Sequence, residues 1–293
     1  MDLQKFIKRV TSTGILGVVV TQNGEELGKY LWDEECRRNI YSASKSFTSA
    51  AVGIAVKEGL LTLEEKLVDA FADDIPQEPG EYLQQATVRD LLTMCLGQET
   101  PQLMGGQRPQ YEEENWVRMA LSFPFTDKPG TKFVYNNVGP YLAGVLVQRR
   151  AGCDLVSYLM PRLFKPLGIR RPVWECDPMG NTFGAGGLFL TLSELHKFGL
   201  LYLQKGVWNG KQIIPEKWVE ESTRMQVLTG REKDYGYGYL FWGGPHDSFR
   251  AAGKYLQVSI ILPSKNAVIS TVAECREGDA VLDAIFEELY PQL

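Results

Sequence analysis

The chain has 293 residues, which is long enough for one large domain or for two smaller ones. Hydrophobic residues make up 44% and charged residues 23% of the sequence, a balance typical of a folded protein with a sizeable core. The net charge of −5 argues against nucleic acid as a partner, because binding to phosphates requires a basic surface. No segment has the roughly 18–20 consecutive apolar residues of a membrane span, so we expect no membrane partner.

The amino terminus and the cysteines both indicate a cytoplasmic protein. The apolar run Ile15–Val20 is short for the core of a signal peptide, and no small-residue cleavage site follows it. The cysteines are odd in number and form no CxxC pair, which favours reduced thiols over a disulfide framework or a zinc site. They are Cys36, Cys95, Cys153, Cys176 and Cys275.

The first sixty residues are predicted to form a helix, a hairpin and a second helix. Apolar residues with helical spacing occur over residues 3–10. Strands over residues 14–21 and 27–32, separated by the turn Asn23-Gly24, have the pattern of a β-hairpin. The second helix begins near Tyr41 and ends near Gly59.

The remainder is predicted to be helical in the middle and to return to strands at the end. Helical patterns cover residues 87–96, 114–121, 138–150, 155–164 and 192–203, with a closing helix over 282–289. Strand patterns cover residues 235–241, 255–262 and 267–273. This order predicts an α+β fold in which both termini form one antiparallel sheet flanked by helices. We expect residues 1–60 and 185–293 to form the sheet domain, with residues 61–184 as an inserted, mainly helical domain.

Several common catalytic arrangements are absent from the sequence. The two histidines, His196 in a helical segment and His246 in a Gly-Gly-Pro loop, lack a GxSxG partner, so a structural or surface role is expected for both. No HExxH, GxxxxGK[ST] or GxGxxG motif is present, which leaves zinc-protease, P-loop and dinucleotide-binding functions unsupported.

One short segment, Ser42-Ala43-Ser44-Lys45 at a helix start, has the spacing needed for nucleophilic catalysis. Residues three apart share one helical face, so the Lys45 amine can reach the Ser42 hydroxyl. The positive end of the helix dipole favours negative charge on Ser42, and burial there disfavours an ammonium on Lys45. The alternative is that Ser42 only caps the helix and Lys45 is a solvated surface residue.

Three motifs, taken with their order and spacing, resemble one enzyme family. They are the helix YSASKSFTSAAVGIAVKEGLL from residue 41, the triplet Tyr135-Asn136-Asn137, and Ala185-Gly186-Gly187-Leu188 with the segment that follows it. This pattern is similar to the serine β-lactamase and penicillin-binding protein superfamily, from about residue 15 to residue 273. The similarity is strongest to its class C-like branch, which includes family VIII esterases and 6-aminohexanoate-dimer hydrolases.

The resemblance implies a β-lactamase-like fold and assigns roles to four residues. Ser42 is expected to be the acylated nucleophile, and Lys45 to accept its proton directly or through Tyr135. Tyr135 is expected to act as the general base and to protonate the leaving group, with its titration coupled to that of Lys45. Asn137 is expected to hold Lys45 and the substrate by hydrogen bonds. No metal and no organic cofactor are implied.

The third family motif departs from the pattern of relatives that process β-lactams. Those relatives have Lys or His, then Thr or Ser, then Gly, whereas this chain has Ala251-Ala252-Gly253. Gly253 is expected to allow close approach of a ligand, and the N–H of Lys254 to form an oxyanion hole with that of Ser42. The cation and hydroxyl that bind a substrate carboxylate are missing, unless Arg250 or Lys254 replaces them. The departure favours an esterase or amidase acting on an uncarboxylated acyl group.

The sequence therefore predicts a serine hydrolase that forms an acyl-enzyme on a small-molecule ester, amide or peptide. A β-lactamase, a D-amino-acid peptidase or an acyltransferase would use the same chemistry, and a non-catalytic ligand-binding or sensor module is the alternative of another class. The loops Gln98–Glu114 and Glu175–Gly184 are expected to decide the substrate. Tyr235, Tyr237 and Trp242 are candidates to line the acyl pocket. The oligomeric state stays open.

Overall fold

A six-stranded antiparallel sheet is the centre of the fold in the computed structural model, which describes residues 1–231, 234–276 and 278–293. The spatial order of its strands is β2-β1-β10-β9-β8-β7. Their bounds are β1 Ile15–Gln22, β2 Glu25–Leu31, β7 Trp242–Gly243, β8 Phe249–Gly253, β9 Gln257–Leu262 and β10 Ala267–Ala273. Short pairs join β3 Arg38–Asn39 to β4 Phe189–Leu190, and β5 Val207–Trp208 to β6 Lys211–Gln212.

The sheet combines both ends of the chain, as the strand patterns predicted. Strand β1 pairs with β10 in a register that places Val18 opposite Thr271 and Val20 opposite Ile269. Because β1 lies between its hairpin partner β2 and the carboxy-terminal β10, the first and last strands of the chain form one surface. Strand β8 runs next to the short β7 near the other edge, and β8 contacts the turn Tyr41–Ala43.

Helices cover both faces of the sheet. One face packs through residues such as Val18, Ile260 and Ile269 against the two terminal helices, Gln4–Val10 and Gly278–Ala284. The opposite face packs against the helix Leu192–Leu203, which contacts β1, β9 and β10. The helices are α1 Gln4–Val10, α2 Ser44–Lys57, α3 Leu67–Ala70, α4 Glu81–Gln85, α5 Val88–Thr93, α6 Trp116–Ser122, α7 Val138–Ala151, α8 Leu155–Leu159, α9 Leu192–Leu203, α10 Glu216–Thr223 and α11 Gly278–Ala284.

Helix α2 is the core element that follows the turn containing Ser42. Its residues from Ser44 to Ala55 are all buried, because it lies between the sheet edge and α7 of the helical region. Small residues make this close packing possible: a Cβ atom on Gly53 would lie 2.3 Å from the Trp218 ring. The residues on α2 are therefore held firmly on all sides.

Two of the strand predictions differ from the structure. Residues 235–241 form no strand, and β9 begins only at Gln257. The alternation Tyr-Gly-Tyr-Gly-Tyr imitates a strand pattern, but Gly236 has φ +77, and a Cβ on Gly238 would lie 2.2 Å from the Ser222 carbonyl oxygen. Gly236 therefore allows a left-handed backbone conformation, and Gly238 allows a close backbone contact, and neither belongs to a strand.

The α+β arrangement with a helical middle region is confirmed. Residues 61–184, all of which are described, contribute helices α3 to α8 and none of the strands named above. The division of the chain into two domains at residues 60 and 184 stays a prediction. Within the described residues, no helix is both long enough and apolar enough to cross a membrane.

Candidate active site

Ser42 lies in a tight turn that immediately precedes α2. Tyr41–Ala43 form a single 3₁₀ turn, and Tyr41 has φ 48, a left-handed conformation that is uncommon for a bulky residue. Two hydrogen bonds hold it: the Tyr41 N–H donates to Asn39 Oδ1 at 2.7 Å, and the Ser44 hydroxyl donates to the Tyr41 carbonyl at 2.6 Å. The strained conformation thus directs the Ser42 side chain into the large cavity beside α2.

Lys45 is buried next to Ser42 and has three polar neighbours. Only 1% of its surface is exposed. Its Nζ atom lies 2.9 Å from Ser42 Oγ, 2.7 Å from Asn137 Oδ1 and 2.7 Å from the Ala185 carbonyl oxygen. As an ammonium, Lys45 donates one N–H to each of these three oxygens. The two carbonyl oxygens can only accept, so in the neutral amine they take both N–H groups and the lone pair faces the Ser42 hydroxyl.

The charge state of Lys45 suits a proton acceptor. Burial, with a smaller contribution from the positive charge of Arg108, lowers the pKa of Lys45 from its ordinary value of 10.5 to about 7. No carboxylate is within ion-pair distance of Lys45 among the described residues. A substantial fraction of this amine is therefore neutral at physiological pH.

Tyr135 lies beside Lys45 and Ser42 and remains a protonated phenol. Its ring centroid is 5.1 Å from Lys45 Nζ, and it packs against Trp242 with centroids 5.3 Å apart. Burial raises the pKa of Tyr135 to about 12, although Ser42 and Arg231 oppose the rise. At neutral pH this phenol is able to donate a hydrogen bond or a proton.

Asn137 orients Lys45 and connects it to a neighbouring loop. Its Nδ2 donates to the Leu103 carbonyl at 2.9 Å, and since that oxygen can only accept, Oδ1 must face Lys45. Its backbone N–H also donates to the Gln102 carbonyl at 3.2 Å. The structure therefore shows the expected contact with Lys45, while a contact of Asn137 with substrate stays a prediction.

Gly253 places the edge of β8 directly against the nucleophile turn. A Cβ atom on Gly253 would lie 2.1 Å from the Ile40 carbonyl oxygen and 3.1 Å from the Ala43 nitrogen. Glycine at this position thus allows close packing of β8 against the backbone of Ile40 and Ala43, in addition to any role toward a ligand. Lys254 follows at the cavity wall with its ammonium 4.7 Å from the Tyr255 ring centroid, and its part in an oxyanion hole stays a prediction.

The site opens into a cavity of about 860 Å³ that several charged residues line. Arg108, in one of the loops expected to decide the substrate, forms a 3.2 Å ion pair with Glu175 in the other. Arg231 and Arg250 lie at the wall near Trp242. The sequence did not predict that Arg108, Glu175 and Arg231 line the site. Their position in loops was the only feature that pointed to them.

The candidates for the acyl pocket separate into different environments. Trp242 lines the cavity, whereas Tyr237 is buried behind Tyr135 and Trp242 with centroid distances of 6.3 and 4.8 Å. Tyr235 is 45% exposed and is not part of the cavity wall as described. Only Trp242 of the three is therefore placed to contact a ligand directly.

Both histidines have structural surroundings. His196 bonds Thr21 Oγ1 at 2.8 Å and Ser270 Oγ at 2.9 Å between α9 and the sheet, and burial lowers its pKa to about 4. His246 is exposed and stacks on Tyr290 with ring centroids 4.2 Å apart. Among the described residues, no group of three His, Cys, Asp or Glu side chains could hold a metal ion.

Comparisons with known proteins give the same family as the motifs. The chain is 24% identical to an uncharacterized protein of Alkalihalophilus pseudofirmus over 228 residues. This alignment covers 71% of this chain and 61% of that protein. It is 29% identical to lovastatin esterase of Penicillium rubens over 150 residues. This second alignment covers 44% of this chain and 37% of the esterase. The chain thus spans less than two thirds of the length of these curated relatives.

The fold is also shared with a solved structure. The chain superposes with a TM-score of 0.82 on a provisionally named 6-aminohexanoate-dimer hydrolase from Bacillus anthracis, at 20% identity and with 100% of this chain and 81% of that one covered. This likeness confirms the β-lactamase-like fold. The model of the family described as Beta-lactamase matches residues 3–290. The chain therefore belongs to the beta-lactamase family.

Proposed function

We propose that this protein is a serine hydrolase that forms an acyl-enzyme on a small ester or amide. The observation that carries the proposal is the set of contacts around Lys45 Nζ, whose two carbonyl neighbours leave the amine lone pair for Ser42 Oγ. A solvated surface lysine would need no such arrangement. The esterase among the curated relatives supports the same reaction class.

In the first step Ser42 Oγ attacks the carbonyl carbon of the substrate. The hydroxyl proton passes to Lys45 Nζ as the Oγ–C bond forms. The bond from carbon to the leaving oxygen or nitrogen then breaks, and the proton moves from Lys45, directly or through Tyr135, to that leaving atom. Attack by water on the acyl-Ser42 ester returns the free enzyme and releases the acid.

We assign the role of general base to Lys45 rather than to Tyr135. The pKa of Lys45 is lowered to about 7, close to the pH at which a base is needed, whereas that of Tyr135 is raised to about 12. Tyr135 instead serves as a hydrogen-bond donor and proton relay on the leaving-group side. Backbone N–H groups of Ser42 and Lys254 are proposed to stabilise the oxyanion.

Hydrolysis of a small-molecule substrate is the form of this chemistry that we favour. A peptidase, a β-lactamase or an acyltransferase would use the same residues, and a non-catalytic binding module would leave the Ser42–Lys45 contact without a purpose. A cytoplasmic location and the absence of nucleic-acid and membrane partners stay predictions from the sequence.

The test is hydrolysis of p-nitrophenyl butyrate by the wild-type protein, Ser42→Ala and Ser49→Ala. Ser49 lies on the same helix, and its buried hydroxyl has no hydrogen-bond partner in the described part of the chain, so its removal should leave turnover unchanged. We expect turnover by wild type and Ser49→Ala, none by Ser42→Ala, and a butyryl adduct on Ser42 in the intact mass. Equal activity of Ser42→Ala and wild type would refute the proposal.

A further inference from the structure

The backbone segment that supplies the Ala185 carbonyl is hydrogen-bonded along its whole length. It runs from residue 183 to residue 188, and each of its carbonyl oxygens accepts a hydrogen bond. The Trp174 indole N–H, for example, is shared between the carbonyl oxygens of Phe183 at 3.1 Å and Gly186 at 2.8 Å. Because buried backbone groups that are satisfied in this way are costly to displace, the segment is held in one conformation.

The Thr48 hydroxyl binds this segment immediately before Ala185. It is fully buried and donates to the Gly184 carbonyl oxygen at 2.7 Å. The segment lies so close to α2 that a Cβ atom on Gly184 would be 2.9 Å from Thr48 Oγ1 and 2.8 Å from the Pro140 carbonyl oxygen. Thr48 is three residues after Lys45, so both side chains lie on one face of α2 and bind consecutive carbonyl oxygens of the segment.

The Ser44 hydroxyl connects the far end of the segment to the nucleophile turn. Its Oγ atom accepts from the Leu188 N–H at 3.1 Å and donates to the Tyr41 carbonyl oxygen at 2.6 Å. The Ile40 N–H donates to the Leu188 carbonyl oxygen at 2.9 Å next to this contact. One buried hydroxyl therefore fixes the segment relative to the turn that contains Ser42.

We propose that Ser44 and Thr48 are positioning residues that act on the reaction through the Ala185 carbonyl. In the neutral amine, two carbonyl oxygens take the N–H groups of Lys45, and one of them belongs to Ala185. Loss of either hydroxyl frees the segment, so the amine is able to rotate and its lone pair no longer points steadily at Ser42 Oγ. The inference rests on the proposed function and adds two residues to its machinery.

The two hydroxyls have an effect that packing alone would not produce. When the Ala185 carbonyl moves away, the Lys45 ammonium loses an acceptor, so the pKa of Lys45 should fall further below its value of about 7. The other titratable groups near this amine are Arg108 and Tyr135, and removal of the hydroxyls takes no hydrogen bond from either. A hydroxyl that served packing alone would change stability and leave the titration of Lys45 in place.

The experiment measures kcat/KM for p-nitrophenyl butyrate from pH 5 to 9 in wild type, Thr48→Val and Ser44→Ala. We expect the plateau at high pH to fall about tenfold in each variant, mainly through kcat, because the base is misdirected. The acid limb, which is the fall in kcat/KM below the pKa of Lys45, should move to lower pH by roughly half a unit. Thr48→Ser keeps the donor and should retain most of the activity and the wild-type acid limb.

The matched control is Ser46→Ala. The Ser46 hydroxyl is also buried on α2 and donates to a carbonyl oxygen, that of Leu240 at 2.8 Å, which lies outside the segment. Its loss should leave the plateau and the acid limb unchanged. An unchanged acid limb in Thr48→Val or Ser44→Ala, or an equal shift in Ser46→Ala, overturns the inference and leaves the proposed function intact. If one of the two variants does not fold, the other decides. If neither folds while Ser46→Ala does, the hydroxyls serve folding itself, which also overturns the inference.

A stability measurement covers failure of the proposed function. If wild type hydrolyses no ester, the titration of Lys45 is followed through the free energy of unfolding, which starts to rise with pH at the pKa of Lys45 in the folded protein. Each protein is compared with its own Lys45→Met derivative, so that the contributions of other groups cancel. We expect the rise to begin at lower pH in Thr48→Val than in wild type and Ser46→Ala. The same onset in all three overturns the inference.

Discussion

Arg108 and Glu175 form a 3.2 Å ion pair that joins two loops of the active-site wall. Arg108 also lies over the Phe183 ring at 4.4 Å, so its position is fixed from two directions. Its Nε atom is buried and has no hydrogen-bond partner among the described residues. The position of Arg108 matters for Lys45, because after burial the charge of Arg108 is the second cause that lowers the pKa of that amine.

The pH dependence of acylation should follow the titration of Lys45. The neutral amine is the reactive form, and its pKa is lowered to about 7. We therefore expect kcat/KM to rise about tenfold per pH unit below pH 6 and to level off above about pH 8. The measurement is kcat/KM for p-nitrophenyl butyrate from pH 5 to 9, corrected for spontaneous hydrolysis. A flat profile across this range would exclude Lys45 as the base.

Arg108→Gln and Glu175→Gln should move this profile in opposite directions. Loss of the positive charge stabilises the Lys45 ammonium, so the acid limb of Arg108→Gln should shift to higher pH by roughly half a unit. Loss of the Glu175 carboxylate leaves Arg108 without its counter-charge, so that limb should shift to lower pH. Arg118→Gln, at an exposed position on α6, is the matched control. Shifts in the same direction would indicate a general structural effect instead.

The contact between Ser42 and Lys45 could be predicted because it is local. Ser42 and Lys45 are three residues apart, and this spacing alone brings their side chains together at a helix start. Tyr135 and Asn137 needed the family resemblance, since nothing in their own segment indicates which helix they face. The contribution of both ends of the chain to one sheet also followed from hydrophobic patterns, whereas the order of the strands did not.

Other parts of the site have no sequence signature. The Ala185 carbonyl oxygen bonds Lys45 at 2.7 Å, and any residue type could supply that oxygen. Arg108 and Arg231 lie in loops whose course depends on packing across the whole fold. Gly236 and Gly238 produced a false strand because the pattern of alternating residues does not reveal a positive φ or a close backbone contact.

Gly253→Ala should damage both stability and activity through steric overlap. The added methyl group would lie 2.1 Å from the Ile40 carbonyl oxygen and must push β8 away from the nucleophile turn. We expect a loss of about 1–3 kcal/mol in the free energy of unfolding, together with slower acylation of Ser42. Gly80→Ala, where no atom lies within 4 Å of the new methyl group, should change stability little. Urea denaturation measures the free energy of unfolding of both variants. Equal values would show that β8 shifts to accommodate the Gly253→Ala methyl group at little cost.

Lys45→Met should change how stability depends on pH. The unfolded lysine titrates near 10.5 and the folded one at about 7, so between these values the unfolded state binds more protons. The free energy of unfolding of wild type should therefore rise relative to Lys45→Met as the pH increases through this window, with a slope approaching about 1.4 kcal/mol per pH unit. Below about pH 6 the lysine is protonated in both states, and the difference should become constant.

Loss of the donor to Asn137 and Ala185 in the variant adds an offset that does not depend on pH. Urea denaturation of both proteins from pH 5 to 9.5 measures the difference, and parallel curves over the whole range would mean that Lys45 keeps its ordinary pKa in the fold.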